Sequence, residues 1–214
     1  MQVNALFAAT PKPFGPRGAP SSIIKSPVDT ITVEMDHTLE DEQGNKKLHG
    51  GPEKVLHQYG PMAYDTLKQA FPTLGDLSAP GNIGENLSVE GMEDTNVCVG
   101  DVYQIGNVVI QVSAPRAPCN KISHRFDVKN LDRFVGENGI TGWYYRVIQT
   151  GTIRNGDTVT LIERPEKTVT IHDLMKAVFL PELADKAAEY VELEVLDDEW
   201  REKCQRQVRK FLKA

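Results

Sequence analysis

One cysteine of this chain stands in a setting that suggests chemistry. Residues 113–121, SAPRAPCNK, follow a run of strand-forming residues, and Cys119 there has Arg116 three residues before it and Lys121 two residues after it. A thiolate binds metals and attacks electrophiles, and nearby positive charge favours the thiolate over the thiol. The two prolines deny hydrogen bonds to a continuing strand, so we expect a rigid loop that leaves the sheet. The segment fits a functional thiolate at a strand end, and it fits an inert, partly exposed cysteine in a turn equally well.

A histidine followed by two glycines forms a second candidate. His49, Gly50 and Gly51 stand directly before a predicted helix. Two glycines allow close approach of a ligand to the backbone, and the N–H groups of the following helix start suit an anion. His57, four residues after Glu53 in the predicted helix, is expected either to face the same pocket as His49 or to cap the edge of the core. A plain turn at the end of a strand, with His49 in an ordinary polar contact, explains the His-Gly-Gly stretch as well.

The segment 81–87, GNIGENL, is a third candidate. Glu85 and Asn86 there lead into a strand, and a carboxylate beside a carboxamide can hydrogen-bond a polar heterocycle. Ordinary turn chemistry is the simpler interpretation, because Asn and Gly are common in turns. The other two cysteines, Cys98 and Cys204, stand among apolar residues and are predicted to lie in the core.

Composition excludes several classes of function. The chain has 214 residues, a formal net charge of −6 and three cysteines. The absence of a broad basic footprint argues against duplex nucleic acid as a partner. An odd cysteine count without CxxC spacing favours reduced thiols in a cytosolic protein. We see neither a signal peptide nor a segment of transmembrane length, so we expect a cytoplasmic protein without a membrane partner.

Residues 1–165 are predicted to form a mainly β domain. They are rich in Gly, Pro, Val, Ile and Thr, and short strands alternate with turns such as the one at residues 106–107. This pattern is typical of a mixed antiparallel barrel or sandwich. Two helices are predicted where proline stands at a first-turn position, one after Pro52 and one after Pro61.

Residues 166–214 are predicted to form a C-terminal three-helix module. Apolar residues recur there at helical spacing, and helix starts are expected near Thr170, Pro181 and Asp197. The last of these helices is basic over residues 201–213. We interpret this charge as a solvated helix face with cations near its C-terminus, in preference to a docking face.

Four segments, in this order, resemble the MOSC family, which is named for the C-terminal domain of molybdenum cofactor sulfurase. They are HGGPEKVLHQY, GNIGENLSVEG, VGDVYQIGNVVIQVSAPRAPCNK and GITGWYYRVIQTGTIRNGDTVTLIER, and they cover about residues 40–165. The helical part from about residue 168 is similar to the three-helix extension of the bacterial YiiM-like branch. One departure is that Glu40 and Asp41 stand where a Gly-Asp pair is expected, so we assign them no role.

The resemblance implies a MOSC-type mixed β-barrel with a few helices that holds the molybdenum cofactor, molybdopterin. It also implies that the metal is bound by Cys119, the cysteine of the matching Pro-Cys motif. A soft thiolate suits a metal that is already bound by sulfur. The further cofactor-binding residues that the resemblance implies are Gly50, Gly51, Asn86, Arg116 and Lys121.

The YiiM-like branch implies reduction of N-hydroxylated compounds, including detoxification of N-hydroxylated purine bases. The catalytic candidates are Cys119, His49, His57 and Glu85, of which the last three would hold the substrate or move protons. No GxGxxG stands between a strand and a helix, so electrons are expected from an external donor such as a flavoprotein reductase.

Two other functions stay open at this point. Cys119 of a non-enzymatic protein would carry the molybdenum cofactor or sulfur. A cysteine hydrolase or transferase would use Cys119 as nucleophile and His49 or His57 as base. The sequence leaves the physiological substrate, the donor and the oligomeric state undecided.

Overall fold

The computed structural model describes residues 1–46 and 50–211, which form strands β1 to β12 and helices α1 to α6. The strands are β1 (Val3–Ala8), β2 (Lys12–Phe14), β3 (Ala19–Ser21), β4 (Ser26–Val28), β5 (Thr30–Val33), β6 (Leu56–Gln58), β7 (Leu87–Val89), β8 (Val102–Ile105), β9 (Val108–Pro115), β10 (Trp143–Gln149), β11 (Gly151–Arg154) and β12 (Val159–Glu163). The helices are α1 (Pro61–Ala70), α2 (Asn120–Phe126), α3 (Leu131–Glu137), α4 (Ile171–Phe179), α5 (Ala184–Tyr190) and α6 (Asp198–Phe211), with short 3-10 helices at Pro52–Lys54, Pro72–Leu77 and Pro181–Leu183.

Eight strands form one mixed sheet in the order β12-β8-β9-β10-β6-β7-β1-β4. The pairs are antiparallel except for β6 and β7, which are parallel. The predicted hairpin between β8 and β9 is confirmed, with Ile105 opposite Val108 and Gly106 at φ +56°. The mixed sheet is therefore confirmed. A closed barrel is not, because the sheet order of the described residues ends at β12 and β4.

The helix predicted after Pro52 is wrong. Only the 3-10 helix Pro52–Lys54 forms, and the chain then enters β6 between β10 and β7. All three residues of β6 are buried, and β10 and β7 flank the strand in the sheet. A central strand that is buried throughout lacks the alternation that would mark it in the sequence. The helix predicted after Pro61 is confirmed as α1.

The three helices predicted near the C-terminus are confirmed as α4, α5 and α6. The Thr170 hydroxyl accepts a hydrogen bond from the Asp173 N–H at 3.0 Å and caps α4. Asp197 caps α6 in the same way by accepting from the Trp200 N–H at 2.7 Å. Within the described residues, none of the helices combines the length and the apolar character needed to cross a membrane.

The C-terminal helices share a hydrophobic core with the sheet. Trp200 and Cys204 of α6 and Leu174 of α4 are buried in one cluster with strand residues such as Val112 and Trp143. A second cluster lies beneath α1, α2 and α3. The shared core fixes the helices against the strands that carry the site, while the domain boundary at residue 165 stays a prediction.

Candidate functional site

Cys119 lies at a cavity between the sheet and the loops of the N-terminal part. The cavity contains about 550 Å³ of space, part of which is open to solvent. Strands β6 and β10, the end of β9 and the start of α2 form one side of it. The titratable residues that line it are Lys25, Asp41, Lys54, His57, Arg116, Cys119, Lys121 and Tyr144.

The end of β9 positions the thiol. After Pro115 the Arg116 N–H still donates to the Gly142 carbonyl at 2.9 Å, and the chain then leaves the sheet as predicted. Cys119 is extended, with φ −133° and ψ 162°, and is the residue before α2. The short loop and the early start of α2 hold the partly buried Cys119 side chain at the cavity wall.

The other two cysteines are core residues, as predicted. Cys98 and Cys204 are buried and do not line this cavity. Burial raises the pKa of the Cys98 thiol, and it raises the pKa of Cys204 to about 11. Both thiols therefore stay protonated at neutral pH, and Cys119 is the cysteine with access to a ligand.

One nitrogen of the buried Arg116 guanidinium lacks a hydrogen-bond acceptor within the described residues. The residue is only 6% exposed, and its carbonyl accepts from the Thr141 hydroxyl at 2.5 Å. Its guanidinium Nη1 is buried and finds no hydrogen-bond partner within the described residues. A buried donor without an acceptor costs about 1–3 kcal/mol of free energy, and a charged donor costs more. An anionic oxygen in the cavity would remove this cost.

Cations outnumber carboxylates at the cavity wall. Lys25 and Asp41 form a buried ion pair, and Asp41 also accepts from the Ala9 N–H at 2.8 Å. Burial lowers the pKa of Lys25, against the opposing effect of Asp41. Lys121 Nζ donates to the Pro20 carbonyl at 2.6 Å. After the Lys25–Asp41 pair is set aside, Lys54, Arg116 and Lys121 remain at the wall. Lys54 is paired with Glu199, which is not among the described lining residues, so the wall favours an anionic ligand.

Two aromatic side chains form the floor beside the thiol. His57 and Tyr144 are paired across β6 and β10, with ring centroids 5.4 Å apart. Burial raises the pKa of Tyr144 to about 12, so its hydroxyl stays protonated at neutral pH. The backbone N–H of His57 donates to the Asn86 side-chain oxygen at 3.0 Å, and the side-chain NH2 of Asn86 donates to the Phe7 carbonyl at 3.2 Å. Asn86 thus lines the cavity while it fixes neighbouring strands.

Several predicted site residues do not meet at this cavity. Glu85 is fully buried and does not stand among the described lining residues. Its carboxylate accepts from the Tyr64 hydroxyl at 2.6 Å and from two backbone N–H groups. Gly50 and Gly51 line two neighbouring surface cavities. His49 lies outside the described residues. The catalytic and cofactor-binding roles of these residues stay predictions.

Sequence reasoning missed four of the titratable residues that line the cavity. Tyr144 and Lys54 stand inside segments that carry the family resemblance, but nothing in their local pattern marks them. Asp41 was assigned no role, and Lys25 comes from the loop between β3 and β4, where the sequence shows no signal.

The wall residues fit an anionic cofactor that carries its own metal ligands. Within the described ranges, no three His, Cys, Asp or Glu side chains cluster as a metal site. A metal at Cys119 would therefore need additional ligands from a cofactor. The thiol, the surplus of cations and the unsatisfied Arg116 Nη1 match a sulfur-ligated metal on a phosphate-bearing group.

The chain is similar in sequence to several known proteins. The MOSC domain model matches residues 45–160. Protein YiiM of Escherichia coli (strain K12) is 37% identical over 150 residues, which cover 70% of this chain and 67% of that protein. A protein of Gibberella moniliformis named Reductase is 39% identical over 131 residues, which cover 61% of this chain and only 23% of that protein.

The likeness also extends to the arrangement of the whole chain. The crystal structure of YiiM from Geobacillus stearothermophilus superposes with a TM-score of 0.78 at 25% identity. The superposition covers 97% of this chain and 98% of that chain, so it includes the C-terminal helices as well as the sheet.

Proposed function

Since this chain belongs to the MOSC domain family, we propose that it is a molybdenum-cofactor-dependent reductase of N-hydroxylated compounds, with the metal bound by Cys119. The observation that carries the proposal is the partly buried Cys119 thiol in a cationic cavity, next to the unsatisfied Nη1 of Arg116. The similarity to a protein named Reductase supports an oxidoreductase. The matched residues span about a quarter of that relative, so the relative's full activity is not assigned to this chain.

The proposed reaction converts an N-hydroxylated amine, two electrons and two protons into the amine and water. The N–O bond breaks, and the hydroxyl oxygen leaves as water. The cofactor, when bound, supplies the two-electron oxygen-transfer chemistry, as cofactors do for steps that side chains cannot perform. An external donor, which we propose to be a flavoprotein reductase, supplies the electrons.

The side chains of the cavity have distinct tasks in this proposal. Arg116 and Lys121 bind the anionic groups of the cofactor, and Arg116 thereby gains the acceptor that its Nη1 lacks. Tyr144 donates a hydrogen bond from a hydroxyl that stays protonated at neutral pH. His57, at the same wall, holds or moves a proton. The low exposure of His57 and Arg116, 4% and 6%, keeps water away from these contacts.

The test compares the wild type with Cys119→Ser, both produced in cells that make the pterin cofactor. We expect the wild type to contain about one molybdenum and one pterin per chain, and to reduce an N-hydroxylated purine base with reduced methyl viologen as donor. Cys119→Ser is expected to keep its circular dichroism spectrum and to lose turnover. The matched control, Cys98→Ser, removes a thiol that does not line the cavity and should keep both metal and turnover.

Normal metal content and normal turnover of Cys119→Ser would refute the proposal. A wild type that contains pterin but shows no reduction with a competent donor would instead favour the cofactor carrier. Production in cells unable to make the pterin separates both from a cysteine hydrolase, whose activity would survive that deficiency.

A further inference from the structure

Lys54 connects the cavity to the C-terminal helices. It is the last residue of the 3-10 helix before β6, lines the cavity and has a side chain that is only 11% exposed. Its ammonium nitrogen lies 5.9 Å from the centroid of the Tyr144 ring. A lysine stem has four rotatable bonds, so a fixed position of the ammonium requires a partner outside the stem.

That partner comes from the far end of the chain. Glu199, in the first turn of α6, has its Oε2 2.5 Å from Lys54 Nζ, and 145 residues separate the two in sequence. The other carboxylate oxygen of Glu199 pairs with Lys203, one turn further along α6. Two ammonium groups thus share one carboxylate, and Lys54 lines the cavity, whereas Glu199 and Lys203 do not stand among its described lining residues.

The first turn of α6 is rigidly anchored. Trp200 is 1% exposed and packs in the main core. Arg201 Nη2 donates to the carbonyls of Leu193 at 2.8 Å and of Leu196 at 3.1 Å, and so ties the preceding loop to the helix. Asp197 caps the helix start. Glu199 is therefore presented by an element whose position is fixed by packing.

We propose that Glu199 is a positioning residue of the cofactor site, which holds the Lys54 ammonium at the cavity wall where it binds an anionic group of the ligand. The C-terminal helices would then complete the site from outside the matched domain, residues 45–160. The identity of the ligand rests on the proposed function, but the positioning of Lys54 does not.

The first experiment measures Lys54 itself in cofactor-free protein. The rate of acetylation of Lys54 by acetic anhydride, followed by peptide mass spectrometry, reports how firmly the ammonium is held. Glu199→Gln is expected to raise this rate about threefold, because an ion pair whose carboxylate is partly exposed is worth a factor of a few. The matched control is Glu202→Gln, which removes the same charge from α6 but pairs with Arg206 and Arg209. It should leave the rate unchanged.

The second experiment measures bound pterin as its fluorescent oxidation product in full-length protein from cofactor-producing cells. Glu199→Gln is expected to lower pterin per chain about three- to fivefold, and Lys54→Met about tenfold. In the Lys54→Met background Glu199→Gln should have no further effect, since Glu199 acts through Lys54. Glu199→Asp, with a shorter arm, should give an intermediate value.

The two experiments separate this inference from the proposed function. A wild type without pterin refutes the proposed function. The acetylation rates then still test whether Glu199 positions Lys54. A wild type with pterin, together with unchanged or increased pterin in Glu199→Gln, overturns the inference and leaves the function standing. An increase would show that the carboxylate competes with the ligand for Lys54. Equal effects of Glu199→Gln with and without Lys54 would likewise overturn it.

Discussion

Replacement of one buried carboxylate by its amide, Asp94→Asn, is expected to change stability relative to the wild type in a pH-dependent way. The difference in the free energy of unfolding should shift in favour of the variant as the pH rises from 5 to 8. Asp94 Oδ1 accepts from the N–H groups of Thr141 at 2.9 Å and Gly142 at 2.8 Å. The carbonyl of Gly142 in turn accepts from Arg116 at the cavity. The second oxygen, Oδ2, is buried without a hydrogen-bond partner in the described residues. An amide oxygen can keep both accepted bonds while it removes the buried charge.

The magnitude follows from the pKa of Asp94. Burial, partly opposed by the two backbone N–H donors, raises this pKa from 3.8 to about 7. The folded protein therefore binds one more proton than the unfolded chain between about pH 4 and pH 7. The stability that this proton contributes is present below pH 4 and is lost as the pH rises through 7. The full loss is about 4 kcal/mol, of which about 2–3 kcal/mol falls between pH 5 and pH 8.

The assay is urea denaturation of the wild type and Asp94→Asn at several pH values from 5 to 8. The difference in the free energy of unfolding should grow in favour of the variant by about 2–3 kcal/mol across this range. Glu93, whose pKa burial also raises to about 7, is present in both proteins, so its effect largely cancels. Asp76→Asn, at an exposed position, is the control. A difference that stays constant within about 0.5 kcal/mol would refute the reasoning about buried charge.

Two further substitutions and one control variant probe the frame of the site by urea denaturation. Gly142→Ala should destabilise by more than about 2 kcal/mol, because a Cβ there would lie 2.2 Å from the Gln58 carbonyl oxygen at φ +70°. Gly156→Ala, at φ +85° with nothing within 4 Å of the new Cβ, should cost only about 1 kcal/mol, and equal costs would contradict the steric argument. Trp200→Ala should cost about 3–5 kcal/mol, since its side chain is 1% exposed in the shared core; a loss below about 1 kcal/mol would show that α6 is not part of that core.

Elements with a local cause could be predicted from the sequence. The two-residue turn at Gly106 joins β8 to β9 because glycine takes the positive φ that the tight hairpin requires. Thr170 starts α4 because its hydroxyl satisfies a free N–H group of the first turn. Both effects act within four residues, so the residue order contains all the necessary information.

Elements whose cause is distant could not be predicted in the same way. Residues 52–58 have the proline and the apolar spacing of a helix start, but β6 forms there because β7 and β10 flank it in the sheet. The free energy gained by burying a central strand exceeds a local helix preference of a few tenths of a kcal/mol per residue. The start of α2 immediately after Cys119 was missed as well, because the prolines before it indicated only a loop.

By itself, the sequence determined the family, through four ordered segments, and it singled out Cys119 as the thiol with a polar setting. Only the tertiary structure decided which charges surround that thiol. Lys25, Lys54 and Tyr144 meet at one cavity from separate parts of the chain, and Glu199 reaches Lys54 across 145 residues. Coulomb energies and desolvation depend on distances in space, and chain spacing does not contain those distances until the core has packed.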